Sequence, residues 1–289
     1  MIKTVLGIIG GSGVYDMALE NARWQRVASA WGEASDEIRQ GELGGLPVVF
    51  LPRHGRGHVY APSSINYRAN IDVLKRCGVT DLISLSAVGS LKANLPPGTF
   101  VLPDQFIDKT YKRDSSFFGT GCVAHVPFGE PTSPGLRKLA VKALKTEKIK
   151  HKSGGTLVVM EGPQFSTRAE SELHRKWGAG LIGMTALPEA KLAREAELPF
   201  LNISMVTDFD SWHPQHEAVD VAKVIAVMKR NVEQAKRFVL QLAALMPREH
   251  QFCAADHALD GAIMTAPDKR DPALLSKLDA IAQRVMAKR

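Results

Sequence analysis

Short runs of apolar residues recur along the chain, separated by glycine, proline and polar residues. They are rich in Val, Ile and Leu without an alternation of apolar and polar positions, which is typical of strands buried on both faces of a sheet. The runs occupy residues 5–9, 48–51, 82–85, 100–102, 157–160, 181–184 and 200–206.

Apolar residues at helical spacing follow several of these runs. The segments 64–76, 134–147 and 217–245 each place their apolar residues on one stripe, and Pro134 stands near the start of the second, where proline is favoured. Alternating strands and helices predict a single α/β domain around a mixed or mainly parallel sheet.

The pattern of apolar residues changes after Pro247. Residues 251–266 show no clear periodicity, and Asp271-Pro272 then marks the start of a final helix with one apolar face. We therefore expect a main domain over residues 1–246. Residues 247–289 would form a C-terminal extension that packs on the core or on a neighbouring subunit.

Small and polar residues cluster where the predicted strands end. The clusters lie at residues 10–13, 52–58, 84–90, 161–170, 183–185 and 207–210. In open α/β folds ligands bind in a crevice at the carboxyl ends of the strands, so the pattern predicts one shared ligand site. A small-residue turn is expected at 84–90.

Two of these clusters suit an anion. In Gly10-Gly11-Ser12-Gly13 the backbone N–H groups and a hydroxyl are available, although neither a dinucleotide fingerprint nor a phosphate loop with lysine is present. Segment 52–58 holds two arginines and two histidines, and a guanidinium can bind phosphate through two N–H groups. A tight turn and a solvated basic loop are the alternative interpretations.

The clusters at residues 161–170 and 207–210 can serve either a ligand site or helix capping. Asp208 and Asp210 follow an apolar strand, and a carboxyl group held in a dry site can stay protonated and act as an acid. They can equally cap a helix. Ser166 or Thr167 can cap the helix that follows, with Glu170 completing a capping box.

Composition and charge narrow the function further. Lys and Arg exceed Asp and Glu by 37 to 30, but the basic residues are scattered and only 7% of residues are aromatic, which favours an anionic small substrate over nucleic acid. No stretch is apolar enough for a membrane helix, and the N-terminus does not resemble a signal peptide. Three widely spaced cysteines predict reduced thiols in the cytoplasm and no zinc site.

A series of motifs resembles one family along most of the chain. In order they are GIIGGSG, PRHGRGH, NYRANIDVLK, SAVGSL, EGPQFSTRAE, GMTALPEAKLARE and TDFDSW. They are similar, over about residues 5–245, to the methylthioadenosine phosphorylase branch of the purine nucleoside phosphorylase family. The resemblance implies a three-layer α/β/α domain with a mixed, partly barrel-like central sheet. It also implies a homo-oligomer, either a trimer or a dimer of trimers.

The family cleaves a purine nucleoside with inorganic phosphate as co-substrate, so the resemblance implies phosphorolysis of methylthioadenosine without a metal or an organic cofactor. The implied phosphate-binding residues are Ser12, Arg53, His54, Ser86, Ala87 and Thr185. Asp208 would protonate N7 of the leaving base, and Asp210 would accept from its 6-amino group. The remaining implied substrate contacts are Met184 at the ribose, Ser166 at the base, and Val221, His58 and His125 near the 5′-substituent, His125 coming from an adjacent subunit.

Three alternatives remain open at this stage. A 6-oxopurine phosphorylase for inosine, guanosine or methylthioinosine is the nearest, and a carboxylate at Asp210 disfavours it because it would face the lone pairs of a 6-oxo group. A nucleoside-binding protein without activity would not need Arg53 and His54. A nucleic-acid-binding protein would show salt-sensitive binding to oligonucleotides without phosphate.

Overall fold

The computed structural model describes residues 2–11, 13–14, 17–213 and 221–286, with the backbone alone for residues 221–224. These ranges contain an eleven-stranded sheet. The strands are β1 Leu6–Gly10, β2 Glu20–Gln25, β3 Ile38–Leu43, β4 Leu46–Pro52, β5 Asp81–Ser90, β6 Phe100–Leu102, β7 Gln105–Lys109, β8 His151–Ser153, β9 Thr156–Met160, β10 Leu181–Gly183 and β11 Phe200–Phe209. The helices are α1 Tyr67–Arg76, α2 Pro134–Thr146, α3 Arg168–Lys176, α4 Ala186–Glu195, α5 Val221–Leu245, α6 Pro272–Lys277 and α7 Asp279–Met286.

The sheet is mixed and branches at its longest central strand. β5 pairs in parallel with β1 along its first half, antiparallel with β10 at its last two residues, and in parallel with β11 along nearly its whole length. β4 extends the parallel part beyond β1, whereas β3 and β2 add an antiparallel edge. This confirms the predicted mixed α/β fold.

Both faces of the central strands are buried. Ile9 and Leu51 face one apolar cluster together with residues of α1 and α4, whereas their neighbours Ile8 and Phe50 face a second cluster with residues of α2 and α5. Because successive side chains of a strand point to opposite faces, β1 and β4 have no polar side chain at any position. The central strands β5 and β11 also carry buried serine and asparagine residues. No helix within the described ranges is long and apolar enough to cross a membrane.

Hydroxyl side chains cap the first turns of α2 and α3. Ser133 caps α2 with Pro134 at its first position, and its hydroxyl accepts from the N–H of Leu136. Thr167, rather than Ser166, caps α3 and forms a reciprocal capping box with Glu170. Capping therefore accounts for Glu170 and leaves Ser166 without that function.

Several elements differ from the prediction. The small-residue turn expected at 84–90 is wrong, because β5 continues through Ser90, where pairing with β10 and β11 replaces a turn. The pattern also missed the strands β2, β3, β7 and β8, of which β8 has only three residues and the others carry several polar side chains. It missed α4 as well, a ten-residue helix in which eight residues are buried, so that no polar face marks it as a helix. The final helix is split at Leu278 into α6 and α7.

The segment 247–286 packs on the core of its own chain. Lys3 and Glu249 form an antiparallel bridge at its start, and Leu278, Ile281 and Ala282 are buried in the cluster that also contains residues of α1 and α4. A domain boundary between residues 246 and 247 stays a prediction.

A buried histidine joins this segment to the sheet. His250 Nδ1 lies 2.9 Å from Asp81 Oδ2 at the start of β5, and its Nε2 lies 2.7 Å from Asp256 Oδ1. Burial opposes a charge on the imidazole, but the hydrogen bonds to Asp256 and Asp81 outweigh it and raise the pKa of His250 to about 9. The protonated ring is therefore held between two carboxylates.

We expect replacement of His250 by Gln to destabilise the protein most at neutral and acidic pH. Because the folded pKa of about 9 exceeds the ordinary value, the proton contributes about 3 kcal/mol, fully present below pH ~6.5 and lost as pH rises through about 9. Urea unfolding of both proteins at pH 6 and pH 10 measures the difference. A difference in unfolding free energy that does not change with pH would contradict the assignment, and exposed His257→Gln is the control.

Candidate active site

A cavity of about 570 Å³ opens at the carboxyl ends of the central strands. Gly11 follows β1, Arg53 follows β4, and residues 85–89 of β5 form one wall, with the ends of β10 and β11 beside them. Its size lies within the ~300–1,000 Å³ of small-molecule sites. The sheet therefore brings the predicted clusters to one place.

Most of the predicted site residues line this cavity. They are Arg53, His54, His58, Ser86, Ala87, Met184, Thr185, Asp208 and Asp210. Ser166 is buried beside it, where its hydroxyl lies 3.8 Å from the sulfur of the lining residue Met160, and its carbonyl accepts from Ser211. His125 is exposed and does not line the cavity, and its backbone N–H donates to the Ala262 carbonyl. Ser12 and the side chain of Val221 lie outside the described residues.

Arg53 is almost completely buried at one end of the cavity. Its Nε donates to Glu189 Oε1 at 2.6 Å, and its Nη2 donates to Ser84 Oγ at 2.7 Å and Glu189 Oε2 at 3.3 Å. Its Nη1 donates to the Leu85 carbonyl at 2.9 Å. The guanidinium is thus fixed in position and paired with a buried carboxylate.

Hydroxyl groups stand beside this guanidinium. Ser86 Oγ lies 3.4 Å from Thr185 Oγ1, and Thr185 is the residue before α4 but makes no side-chain capping bond. Beneath them Asn202 donates to Ser86 Oγ at 3.0 Å and accepts from Ser204 at 2.6 Å. A buried polar network on β5 and β11 therefore orients Ser86 below the cavity.

His54 is neutral at this end of the cavity. Burial and the charge of Arg53 lower the pKa of His54 to about 4. Its Nδ1 lies 2.8 Å from the Tyr60 carbonyl, which can only accept, so Nδ1 carries the proton and Nε2 is an acceptor. Its ring stacks on His58 with centroids 4.1 Å apart. His54 therefore adds no positive charge to the anion end.

Two aspartates form the opposite end. The register of β11 on β5 shifts between Val206 and Asp208, and such an irregularity changes the direction of the following side chains. Thr207 Oγ1 donates to Asp208 Oδ1 at 2.6 Å. Asp210 is 3% exposed, and its buried Oδ2 has no hydrogen-bond partner among the described residues.

Gly89 of β5 leaves room beside the two aspartates. A side chain on Gly89 would place its Cβ 3.3 Å from Asp208 Oδ2 and 3.5 Å from Asp210 Cβ. Any larger residue at this position of β5 would crowd the carboxyl group of Asp208 and pack against the Cβ of Asp210. The unpartnered, buried oxygen of Asp210 requires a donor, which a ligand with an N–H group provides.

Arg113 supports the middle of the cavity and was missed by the sequence analysis. Its side chain is fully buried and donates to Glu161 and to the Met184 carbonyl. Burial opposes ionisation of Glu161, but Ser63, the N–H groups of residues 111–112 and Arg113 outweigh it and lower its pKa to about 2. This ion pair fixes the backbone that presents Met184.

Comparison with known protein families shows to which family the chain belongs. The family model described as the phosphorylase superfamily matches residues 5–244. The chain belongs to the phosphorylase superfamily.

Curated members of the superfamily match nearly the whole chain. The S-methyl-5′-thioadenosine phosphorylase of Bradyrhizobium diazoefficiens is 58% identical, with 99% of each chain covered. The enzyme of that name from Rhodospirillum rubrum is 55% identical, with 98% of each chain covered.

Solved structures of the superfamily share the fold. A methylthioadenosine phosphorylase from an Antarctic soil metagenomic library superimposes with a TM-score of 0.92 at 42% identity, covering 97% of this chain and 99% of that one. Methylthioadenosine phosphorylase from Schistosoma mansoni in complex with tubercidin has a TM-score of 0.84 at 33% identity, covering 91% and 99%. The superfamily fold is thus confirmed over nearly the full chain.

Two functional features of this superfamily member escaped the sequence analysis. Glu189 and Arg113 have their partners 136 and 48 residues away along the chain, at Arg53 and Glu161. Glu189 stands in one of the motifs that carry the family resemblance, and this was the only signal for it. Among the residues that the structure describes, no group of three or more His, Cys, Asp or Glu is arranged to hold a metal ion.

Proposed function

We propose that this protein cleaves S-methyl-5′-thioadenosine with inorganic phosphate, giving adenine and S-methyl-5-thio-α-D-ribose 1-phosphate. The protein is therefore a pentosyltransferase that acts in methylthioadenosine and purine salvage. The observation that carries the proposal is a single cavity with anion-binding donors at one end and two aspartates at the other. Relatives named S-methyl-5′-thioadenosine phosphorylase, 58% and 55% identical, support the 6-aminopurine over a 6-oxopurine.

Phosphate is assigned to the end that holds Arg53. The guanidinium and the hydroxyls of Ser86 and Thr185 are donors there, and Ala87, which lines the cavity, is assigned to the same site by the family resemblance. Neutral His54 can accept a hydrogen bond through Nε2 from a P–OH or a ribose hydroxyl. Ser12 is assigned to the same site by the family resemblance.

The purine is assigned to the end that holds Asp208 and Asp210. Asp210 Oδ2 accepts from the 6-amino group, and Asp208 donates a proton to N7. The C1′–N9 bond breaks with its electron pair moving to the base, while a phosphate oxygen forms the new bond to C1′ from the opposite face. Protonation at N7 stabilises the leaving base, and the phosphate charge stabilises the positive charge that develops on the ribose.

The remaining predicted contacts complete the substrate site. Met184 is assigned to the ribose and Ser166 to the base, where its buried position next to Met160 lets a change of size affect the base pocket. His58, His125 and Val221 are assigned to the 5′-substituent. No resident metal or organic cofactor is needed for this reaction.

We further propose a cytoplasmic homo-oligomer, a trimer or a dimer of trimers. Val59 and Phe165 are 68% and 59% exposed, and Phe165 and His58 line the cavity. Exposed apolar residues at a ligand site are typical of a surface that another subunit covers. Light scattering coupled to gel filtration measures the mass, and a monomer at micromolar concentration would contradict the proposal.

Side-by-side assays of methylthioadenosine and methylthioinosine, each with and without phosphate, test the function. We expect release of adenine that depends on phosphate and little release of hypoxanthine. Preferential release of hypoxanthine would contradict the base assignment and leave the phosphate site intact. No turnover of either nucleoside would contradict the enzymatic function.

A further inference from the structure

Glu189 lies behind Arg53, away from the cavity wall. Glu189 is not among the residues that line the cavity and is 1% exposed, yet its two carboxylate oxygens lie 2.6 Å from Nε and 3.3 Å from Nη2 of Arg53. Ser84 Oγ, on β5, donates to Glu189 Oε2 at 2.6 Å and fixes the carboxylate in turn. The carboxylate thus holds the guanidinium from outside the cavity lining.

These contacts determine which N–H group of Arg53 is available. Glu189, Ser84 and the Ile9 carbonyl occupy Nε and Nη2, and the Leu85 carbonyl occupies one N–H of Nη1. A guanidinium has five N–H donors, so one N–H of Nη1 has no partner among the described residues. Arg53 and Gly11 both line the cavity, and a Cβ added to Gly11 would lie 3.7 Å from Nη1, so this nitrogen stands at the cavity wall.

The ion pair also removes the net charge of this end. Arg53 is the one Lys or Arg among the described lining residues, and Glu189 neutralises it. Asp208 and Asp210 at the opposite end add no positive charge. An anion is therefore bound here by donors of fixed direction rather than by an excess of positive charge, so the direction of Nη1 decides the affinity.

We propose that Glu189 is the positioning residue of Arg53, which aims a single Nη1–H at the phosphate. This inference rests on the function proposed above. It makes the geometry of the anion site depend on the buried ion pair between Arg53 and Glu189. Glu189 itself touches no substrate. It acts entirely through the guanidinium that it orients.

A double-mutant cycle tests this dependence. We expect Glu189→Gln to lower kcat/KM for phosphate by about 10²-fold, because the guanidinium loses its bidentate partner, with KM for the nucleoside within twofold. Glu189→Asp keeps the charge and should recover part of the loss. In an Arg53→Met background, Glu189→Gln should cause no further loss, since it has no guanidinium to orient.

The control is a buried glutamate on the same helix. Glu195 accepts from Ser116 and from the N–H of Phe117 and does not line the cavity, so Glu195→Gln should leave KM for phosphate within twofold of the wild type. Additive effects of Arg53→Met and Glu189→Gln would overturn the proposal. So would a Glu189→Gln protein with lower kcat and an unchanged KM for phosphate, the result expected of a purely structural residue.

A binding measurement separates this proposal from the proposed reaction. Inorganic phosphate should raise the Tm of the wild type, and this rise should be absent in Glu189→Gln and partly present in Glu189→Asp. The shift needs no turnover, so it decides the function of Glu189 even if the wild type cleaves neither nucleoside. An equal rise in all three proteins would overturn the proposal. If Glu189→Gln does not fold, the Asp variant and the double variant provide the same comparison.

Discussion

Replacement of Asp210 by Asn is expected to reverse the preference between 6-amino- and 6-oxopurine nucleosides. The buried Oδ2 of Asp210 lacks a donor among the described residues, and the 6-amino group supplies one. An Asn amide can instead donate to a 6-oxo group. Sites that bind a substrate through buried polar groups reject an analogue that leaves them unpaired by about 10⁴-fold. We expect the ratio of kcat/KM for methylthioadenosine to that for methylthioinosine to fall by at least about 10³-fold.

The control for this prediction is the neighbouring position. Thr207 holds the carboxyl of Asp208, and Asp208→Asn should lower turnover of both nucleosides without changing their ratio. An Asp210→Asn protein that keeps the wild-type ratio would contradict the assignment of Asp210 to the 6-position. Activity of both variants is measured as release of the free base at saturating phosphate.

Asp208→Asn is expected to lower kcat/KM for methylthioadenosine by about 10²- to 10⁴-fold, because an amide cannot donate the proton that the leaving base needs. The loss should largely disappear with a 4-nitrophenyl glycoside of 5-methylthioribose, whose leaving group departs without protonation. An equal loss with both substrates would show that Asp208 positions the substrate and does not act as an acid. The two substrates are compared at the same phosphate concentration.

The sequence allowed much of the central sheet to be predicted, and the reason is physical. Strands such as β1 and β4 are buried on both faces. Neighbouring residues, such as Ile8 and Ile9 of β1 or Phe50 and Leu51 of β4, therefore face different apolar clusters and are all apolar. The edge strand β2 is exposed at all six positions and carries no such requirement. Its pairing with β3 depends on tertiary contacts, which the local pattern of apolar and polar residues does not indicate.

The candidate site was predicted in part for a related reason. Arg53, Thr185 and Asp208 lie at or just after the ends of strands, and strand ends of one sheet meet in space. Ser86 also lines the cavity, although it lies within β5 and four residues before its end. What the sequence could not supply was the pairing of these groups with residues far along the chain. The bond from Arg53 to Glu189 spans 136 residues, and no local spacing rule relates the two.

The protonation of His54 shows a second limit. Its position in a basic segment does not reveal the charge of its imidazole, which burial and the adjacent Arg53 keep neutral, with a pKa of about 4. Both causes depend on the folded environment. The residue type was therefore predicted to lie at the site, but its hydrogen-bonding direction became clear only from the contact with Tyr60.

The division of the core by the central sheet restricts how this protein can change in length during evolution. In β1, Ile8 and Ile9 belong to separate clusters, so deleting one residue would exchange the two faces for the rest of the strand. Gly10 would then lose its place opposite Pro52, next to Arg53, the residue to which we assign phosphate. Insertions and deletions among relatives should consequently accumulate at one edge of the sheet, around the exposed strand β2 and the turn at Gly44 and Gly45 between β3 and β4. The central strands should keep a constant number of residues even where their sequences diverge.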